Sequence, residues 1–274
     1  MTSSAAPLHL WKPGSLPGVT LLRADGMAQT FARHTHDDYA LGVITRGALG
    51  FDYMRGHEVA AAGEINLVVP GEPHSGRPAQ GDSWGYRMFY VEPGVLRQAL
   101  PPGQAEAAFD RGVIRDPVLA HAIVRLHRDL EDGADASPLE VQSRLLALLA
   151  HWVRRHAQAD RRAARAAKPI PEARRAHDYL EAHWRDKPTL EQLAQLEGLS
   201  AWQLLRAFVR QHGLPPHAWL VQRQVREARR LLEAGLPIAE AAQAAGFADQ
   251  SHLNRHFKRM LGLTPGQYRA CLRG

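Results

Sequence analysis

The hydrophobic positions between residues 20 and 92 follow the two-residue period of β-strands. In YALGVIT (39–45) the odd-numbered residues, from Tyr39 to Thr45, share one face, and the even-numbered residues share the other. Turns are predicted at RG (46–47), AAGE and PGEP, and Pro70 and Pro73 would break any central strand between them. Short strands at such regular spacing predict a barrel or a sandwich. The other predicted strands are TFARH, ALGFDYM, EINLVVP and WGYRMFYVE.

From about residue 113 the hydrophobic period becomes helical. PVLAHAIVRLHRDLED is the first predicted helix, and a second begins at Ser137 with Pro138 at its first position and Glu140 completing a capping box. The second helix is predicted to end near His156, and RRAARAAKPIP follows as a charged linker. Its apolar face is either a dimer interface or a surface that packs on the barrel of the same subunit. That face carries Leu145, Leu146, Leu149 and Trp152.

The remaining hundred residues contain one helical pattern twice. Leu190, Ala194 and Gly198 match Ile238, Ala242 and Gly246 at an offset of 48, and after one insertion the offset becomes 49. Each copy reads as a short helix, a turn containing glycine and a longer helix, which is the pattern of a helix-turn-helix unit. The pairs matched at the second offset are Leu204 with Leu253, Arg206 with Arg255, Phe208 with Phe257, Gly213 with Gly262, Pro216 with Pro265 and Trp219 with Tyr268.

The second helix of each copy has a polar face with almost no acid. Past Asp249, the second copy carries Gln250, Ser251, Asn254, Arg255 and Lys258 opposite Leu253 and Phe257. Arginine can bond guanine O6 and N7 together, so Arg206 and Arg255 are the best candidate base readers. Asn254 and Gln250 suit adenine, Trp202 and Leu205 suit thymine methyls, and Arg210, His256 and Lys258 suit phosphate. A helix from about 217 to 234 would hold the two readers about 34 Å apart, one DNA turn.

Charge separates the chain into an acidic front and a basic rear. Residues 1–160 carry 15 Lys+Arg and 18 Asp+Glu (−3), residues 161–169 add +4, and residues 170–274 carry 15 against 10 (+5), which sum to the +6 of the whole chain. A basic module makes nucleic acid the first candidate partner.

The absence of a signal-peptide pattern and of a long apolar run predicts a cytoplasmic protein that does not enter a membrane. The single cysteine, Cys271, excludes an internal disulfide framework.

Residues 171–272 resemble the DNA-binding domain of the AraC/XylS family of bacterial transcription regulators. The resemblance lies in Ile238-Ala239-x-x-Ala242-x-x-x-Gly246-Phe247, Ser251-x-Leu253-x-Arg255-x-Phe257-Lys258 and Gly262-Leu263-Thr264-Pro265-x-x-Tyr268-Arg269. It implies that the second helix of each unit enters a major groove. Leu205 and Val209 depart from the polar and basic side chains usual there, which favours apolar contact and shape in the first unit. The candidate DNA contacts are Trp202, Gln203, Leu205, Arg206, Arg210, Gln250, Ser251, His252, Asn254, Arg255 and Lys258.

The front half resembles the cupin-like sensor domain of the same family. His34-x-His36 resembles the first cupin motif, and Gly63-x6-Pro70-Gly71-x2-His74 resembles the second. Enzymatic cupins usually add a glutamate after the first histidines, and the matching stretch Asp37-Asp38-Tyr39-Ala40-Leu41 has none. We therefore predict a small-molecule pocket without a metal, a cofactor or catalytic residues, although imidazole suits Zn, Fe and Ni. The candidate ligand-binding residues are His34, His36, Tyr39, Arg46, His74, Trp84 and Tyr86.

These patterns predict an α+β protein of two domains, an N-terminal cupin-like β-barrel with trailing helices and a C-terminal all-α double helix-turn-helix. The expected parts are a sensor barrel (1–112), a helical dimerisation or packing segment (113–157), a linker (158–170) and a DNA-binding domain (171–274) with units at about 190–212 and 238–261. The predicted function is a ligand-responsive, homodimeric, sequence-specific regulator that binds double-stranded DNA and contacts RNA polymerase. A metal-dependent cupin enzyme and a ligand-independent architectural DNA binder are the alternatives.

Overall fold

The computed structural model describes residues 8–54, 56–100, 106–133, 137–157 and 170–272. The chain forms two compact units, and among the described residues the second comprises Phe31–His34 and residues 170–272, while the first comprises the rest. The fold class predicted from the sequence is confirmed: an antiparallel sheet with helices in the first unit and a helical second unit. The predicted linker lies outside the described residues except for Ile170.

Antiparallel strands form the sheet of the first unit in the order β1-β2-β7-β4-β6-β8, with β5 paired to β4. The two longest strands, β4 and β7, pair from Tyr39 opposite Val91 to Tyr53 opposite His74, with shifts of register near Arg46. The strands are β1 (Leu8–Trp11), β2 (Val19–Met27), β3 (Phe31–His34), β4 (Tyr39–Tyr53), β5 (Gly56–Ala61), β6 (Ile65–Val68), β7 (His74–Val91) and β8 (Val113–Ile114).

The turn predicted at Arg46-Gly47 is wrong. YALGVIT and ALGFDYM form the single strand β4, which bends where its register against β7 shifts around Arg46. Gly47 has a φ of +66°, and a Cβ there would lie 2.5 Å from the carbonyl oxygen of Ser83. A bulge therefore bends the strand and keeps it paired with β7, whereas a hairpin would have reversed it.

Helices α2 and α3 cover one face of the sheet. Tyr39, Leu41 and Val43 of β4 belong to the same buried core as Leu145, Leu149 and Trp152 of α3. The structure therefore shows the packing alternative for these three α3 side chains, while Leu146 remains 40% exposed. The helices of the first unit are α1 (Pro93–Arg97), α2 (Pro117–Glu131) and α3 (Pro138–His156).

Asp116 and Ser137 cap α2 and α3, because their side chains accept hydrogen bonds from the backbone N–H groups of Leu119 and Glu140. At the other end of α2, Glu131 forms ion pairs with Arg23 of β2 and Arg87 of β7. These two arginines lie opposite each other in the strand register. One half-buried carboxylate thus connects the end of α2 to two neighbouring strands.

The second unit is built from helices apart from β3. A single turn of 3-10 helix (Trp184–Asp186) follows the first of them, and α7 is the long central helix. The helices are α4 (Pro171–His183), α5 (Leu190–Leu196), α6 (Ala201–His212), α7 (Pro216–Glu233), α8 (Ile238–Ala244), α9 (Gln250–Leu261) and α10 (Pro265–Cys271).

Candidate nucleic-acid interface and sensor sheet

The two helix-turn-helix units have the same internal construction. A seven-residue helix precedes a twelve-residue helix in each, α5 before α6 and α8 before α9. Ser200 and Asp249 accept hydrogen bonds from the backbone three residues later and begin the longer helices, which end at Gly213 and Gly262 in left-handed conformation. Local capping therefore defines both ends of each longer helix at equivalent positions.

Each longer helix buries the apolar pair predicted from the sequence. Leu204 and Phe208 of α6, and Leu253 and Phe257 of α9, are 0% exposed. Because residues four apart lie on one side of a helix, this burial turns the other side of each helix outward.

In α6 the outward side combines an aromatic and a cationic side chain. Trp202 is 62% exposed, and the guanidinium carbon of Arg206 lies 4.5 Å from the centre of its ring. Gln203 and Arg210 are exposed and Leu205 is half-buried. The side-chain oxygen of Gln203 accepts a hydrogen bond from the backbone N–H of Ser200 (2.9 Å), so part of this side chain caps the helix.

In α9 the outward side is polar and cationic. Gln250, Ser251, Arg255 and Lys258 are exposed, and Asn254 is half-buried. His252 and His256 are also half-buried, with their Nε2 atoms 3.1 Å apart. Burial lowers the pKa of His256, and the nearby charges of His252, His217, Arg259 and Arg255 lower it further.

Helix α7 connects the two helix-turn-helix units. Polar side chains bond it to the second of them. The amide nitrogen of Gln224 donates to the carbonyl oxygen of Gly246 (3.3 Å), and the Tyr268 hydroxyl of α10 donates to Glu233. Glu227 is 8% exposed and pairs with Arg230 at 2.8 Å. The hydrogen bond from Arg230 lowers the pKa of Glu227 against the opposing effect of burial, so the carboxylate stays charged.

The sheet of the first unit has an inner face, the side turned away from α2 and α3. Ile65 and Leu67 belong to the core under the helices, so strand alternation turns Asn66 to the inner face, opposite Gly42. Asn66 is 4% exposed, and its amide nitrogen has no hydrogen-bond partner. A Cβ at Gly42 would lie 2.6 Å from the sulfur of Met88, so Met88 packs directly against this glycine and no larger residue fits there.

Trp84 and Tyr86, both predicted ligand-binding residues, are buried and stacked on each other at 6.5 Å. Burial raises the pKa of Tyr86 well above its usual value, and the neighbouring charge of Tyr90 adds to the shift. The phenol therefore stays neutral and can donate a hydrogen bond.

His36 and His74, one histidine from each cupin-like motif, lie close together, with ring centres 4.8 Å apart. Their Nδ1–H groups donate to the carbonyl oxygens of Asp38 and Glu72 at 2.7 and 3.0 Å, which sets the tautomer of each ring. Tyr90 lies against His36 at 5.6 Å and belongs to this group, although the sequence reasoning did not select it.

Three predicted ligand-binding residues lie elsewhere. Tyr39 packs on Phe109 and Trp152 in the core beneath the helices. Arg46 is exposed at the bulge of β4. His34 ends β3 in the second unit, and its Nδ1 bonds the carbonyl oxygen of Ala32.

Asn66 was missed by the sequence reasoning because EINLVVP was read as an apolar strand. The signal was the single amide in that run, since a polar residue in a strand buried on both faces needs a partner.

Within the described part of the chain, no three His, Cys, Asp or Glu side chains are grouped as metal ligands would be. None of the described helices has the length and apolar character that crossing a bilayer requires.

Comparison with known proteins agrees with this architecture. Residues 16–149 match the profile of the AraC-like ligand binding domain, and residues 193–270 match a helix-turn-helix domain. The HTH-type transcriptional regulator YbfI of Bacillus subtilis (strain 168) is 30% identical over 234 residues, which cover 84% of each chain. The chain belongs to the AraC family of transcriptional regulators. This confirms the resemblance derived from the repeated motif.

Other known proteins match over nearly the whole chain. The arabinose operon regulatory protein of Salmonella typhimurium is 26% identical over 264 residues, 92% of each chain. An apo point variant of ToxT from Vibrio cholerae shares the fold with a TM-score of 0.58 at 11% identity, over 94% of this chain and 98% of that chain. Another ToxT structure, with a TM-score of 0.54, is bound to an unsaturated fatty acid. This AraC-family protein is therefore a transcriptional regulator with a ligand-binding domain and a helix-turn-helix DNA-binding domain.

Proposed function

We propose that α6 and α9 each enter a major groove of one operator and read base edges there. The observation that carries the proposal is that α6 and α9 have the same arrangement of side chains. Each helix buries a leucine and a phenylalanine and exposes the arginine between them, Arg206 or Arg255. Helix α7 has 18 residues and spans about 27 Å at 1.5 Å per residue. With the width of the flanking helices, this length supports a spacing of one DNA turn, about 34 Å.

The two readers differ in how their arginine is held. Stacking on Trp202 restricts the guanidinium of Arg206, which lowers the entropy lost when it bonds guanine O6 and N7. The exposed indole beside it suits the methyl group of a neighbouring thymine. In α9, the amide side chains Gln250 and Asn254 flank Arg255 and suit adenine.

The test is Arg255→Ala and Arg206→Ala, measured by binding to sites selected from random DNA. Each variant should lose about 1–3 kcal/mol on the selected site and should lose its preference at one base pair. Lys258→Ala is the matched phosphate-type variant on α9, and it should weaken all sequences alike and reduce the salt slope by about 1.

If Arg255→Ala also weakened every sequence equally, Arg255 would be a phosphate contact and the base-reading assignment would fail. Failure of the wild-type chain to prefer any sequence at constant salt would support the ligand-independent architectural binder instead.

The inner face of the sheet is the proposed sensor site. Its support is Asn66, a buried side chain whose amide nitrogen has no hydrogen-bond partner, together with the neutral Tyr86. Because the cationic candidate Arg46 is exposed, a neutral small molecule with a hydrogen-bond acceptor fits better than a carboxylate. His36, His74 and Tyr90 add aromatic ring surface beside it.

We further propose that the protein acts as a homodimer, in which ligand changes the placement of two DNA-binding domains, and that it contacts RNA polymerase. Two linked DNA-binding domains gain from effective concentration, which supports dimerisation. Leu139 and Leu146, 74% and 40% exposed on α3, are the remaining apolar candidates for the dimer surface. Sedimentation of the full chain and of Leu139→Glu tests the dimer, since a monomeric wild-type chain would exclude it.

A further inference from the structure

Two histidines one helical turn apart converge on the surface of α9. The Nε2 atoms of His252 and His256 are 3.1 Å apart, and their ring centres are 4.8 Å apart. Phe247 packs against both rings, with its ring centre 5.4 Å from that of His252 and 6.0 Å from that of His256. Asp249 fixes the first turn beneath them by accepting from the N–H of His252 at 2.7 Å.

The pair is not required by the helix-turn-helix architecture. At the offset of 49 that relates the two units, the positions of His252 and His256 are occupied by Gln203 and Ala207. Helix α6 has the same length, the same buried pair and the same C-terminal cap with those residues. The two imidazoles are therefore an addition to the second reader.

We propose that His252 and His256 chelate one late first-row transition metal ion, Zn²⁺, Ni²⁺ or Cu²⁺, on the DNA-reading helix. Two nitrogens 3.1 Å apart, each about 2.0–2.1 Å from a metal, subtend about 95–100° at the ion. This angle lies between those of square-planar and tetrahedral sites, both of which imidazole-bound metals adopt. Each ring then carries its proton on Nδ1, and water completes the coordination.

The surroundings restrict the class of ion. Arg255 and Arg259 are close enough to His256 to act on its charge, and they repel a cation. Ions held mainly by charge, such as Mg²⁺ and Ca²⁺, are therefore excluded, whereas ions that form strong bonds to imidazole nitrogen are retained. The site takes two protein ligands, and His217 is not one of them.

A metal ion here would lie beside Arg255 on the face of α9 that meets DNA. Binding of the metal and of the operator should then be mutually exclusive, so the metal lowers operator affinity. This consequence rests on the proposed function, whereas the metal site itself does not.

The experiment titrates Zn²⁺ into the full chain without an affinity tag, against a chromophoric chelator. The variants His252→Gln and His256→Ala restore the residues of the first unit, which are compatible with the fold. In each single variant and in the double variant, Zn²⁺ affinity at the His252–His256 site should be at least about tenfold weaker than in the wild type. His217→Ala should bind Zn²⁺ as the wild type does. Equal Zn²⁺ binding by the wild type and the double variant would overturn the proposal.

A second arm measures operator binding with Zn²⁺ and with EDTA. Zn²⁺ should weaken operator binding by the wild type. The operator affinity of His256→Ala should be the same with Zn²⁺ as with EDTA. Zn²⁺ binding without any effect on operator affinity would overturn the competition and leave the metal site intact. Absence of operator binding in EDTA would refute the proposed function alone.

Discussion

His127 is fully buried, and the two ring nitrogens form hydrogen bonds to strands of the sheet. Its Nδ1 accepts from Arg87 (2.9 Å), and its Nε2–H donates to the carbonyl oxygen of Leu22 (3.2 Å). Burial is the largest cause that lowers its pKa to about 4, and the charge of Arg87 adds to the effect. The neutral ring is therefore part of the attachment of α2 to strands β2 and β7.

This residue should make stability depend on pH. The unfolded histidine takes up a proton near 6.5 and the folded one near 4, so the free energy of unfolding decreases as the pH falls between those values. Urea unfolding should show a loss of about 1–2 kcal/mol from pH 7 to pH 5 that is attributable to His127. His127→Gln should be less stable at pH 7 but less sensitive to pH. Identical pH slopes for the two chains would contradict this assignment.

At the scale of elements, short-range signals define the helices of the second unit. The capping boxes of Thr189 with Gln192 and Ser200 with Gln203 are both formed, and Thr264 with Gln267 forms a third. Gly198 and Gly246 both have positive φ, +65° and +82°, in the turns of the two units. The turns are equivalent in backbone conformation but differ in what surrounds them.

That difference predicts unequal effects of the same substitution. At Gly198 an added Cβ meets nothing within 4 Å, so Gly198→Ala should cost about 1–2 kcal/mol from backbone conformation alone. At Gly246 the Cβ would lie 2.8 Å from the amide nitrogen of Gln224, so Gly246→Ala should cost more and weaken the bond from α7. Thermal unfolding of the full chains gives the comparison. A larger loss in Gly198→Ala would contradict the role assigned to Gln224.

At the scale of the whole molecule, the proposed function requires that ligand binding by the first unit change DNA binding by the second. A ligand shifts this equilibrium only by its differential affinity for the two arrangements, and such coupling typically changes affinity by about 5- to 150-fold. Asn66 lies on the inner face of the sheet and is remote in sequence from every proposed DNA-contacting residue. Ligand binding and DNA binding can therefore be tested separately.

We expect a neutral small molecule with a hydrogen-bond acceptor, found by screening neutral and carboxylate compounds against operator binding, to change operator affinity of the wild-type chain several-fold. Asn66→Leu should abolish the change without altering operator affinity in the absence of ligand, because the amide would no longer bond the ligand. A response to carboxylates alone would contradict the proposed ligand class, and an equal response in Asn66→Leu would contradict the role of Asn66.

Much of the second unit was predictable from the sequence. Helix starts, left-handed glycines and the buried pair of each reader depend on contacts within one or two turns of chain, which the residue order specifies directly. The C-terminal end of α3 also lies at His156, where the sequence predicted it before the charged linker. The duplicated pattern then supplied the family, which the comparisons confirm.

Only the tertiary structure decided which side chains of the first unit share a surface. Periodicity placed Leu145 and Leu146 on one broad apolar face, but packing against the sheet buried the first and left the second exposed. Alternation alone did not reveal that Tyr39 lies beneath helices, that Arg46 is exposed at a bulge, or that Asn66 is a buried amide without a partner. The physical reason is that a strand acquires its inside and outside from partners distant in sequence, whereas a helix cap is complete within its own turn.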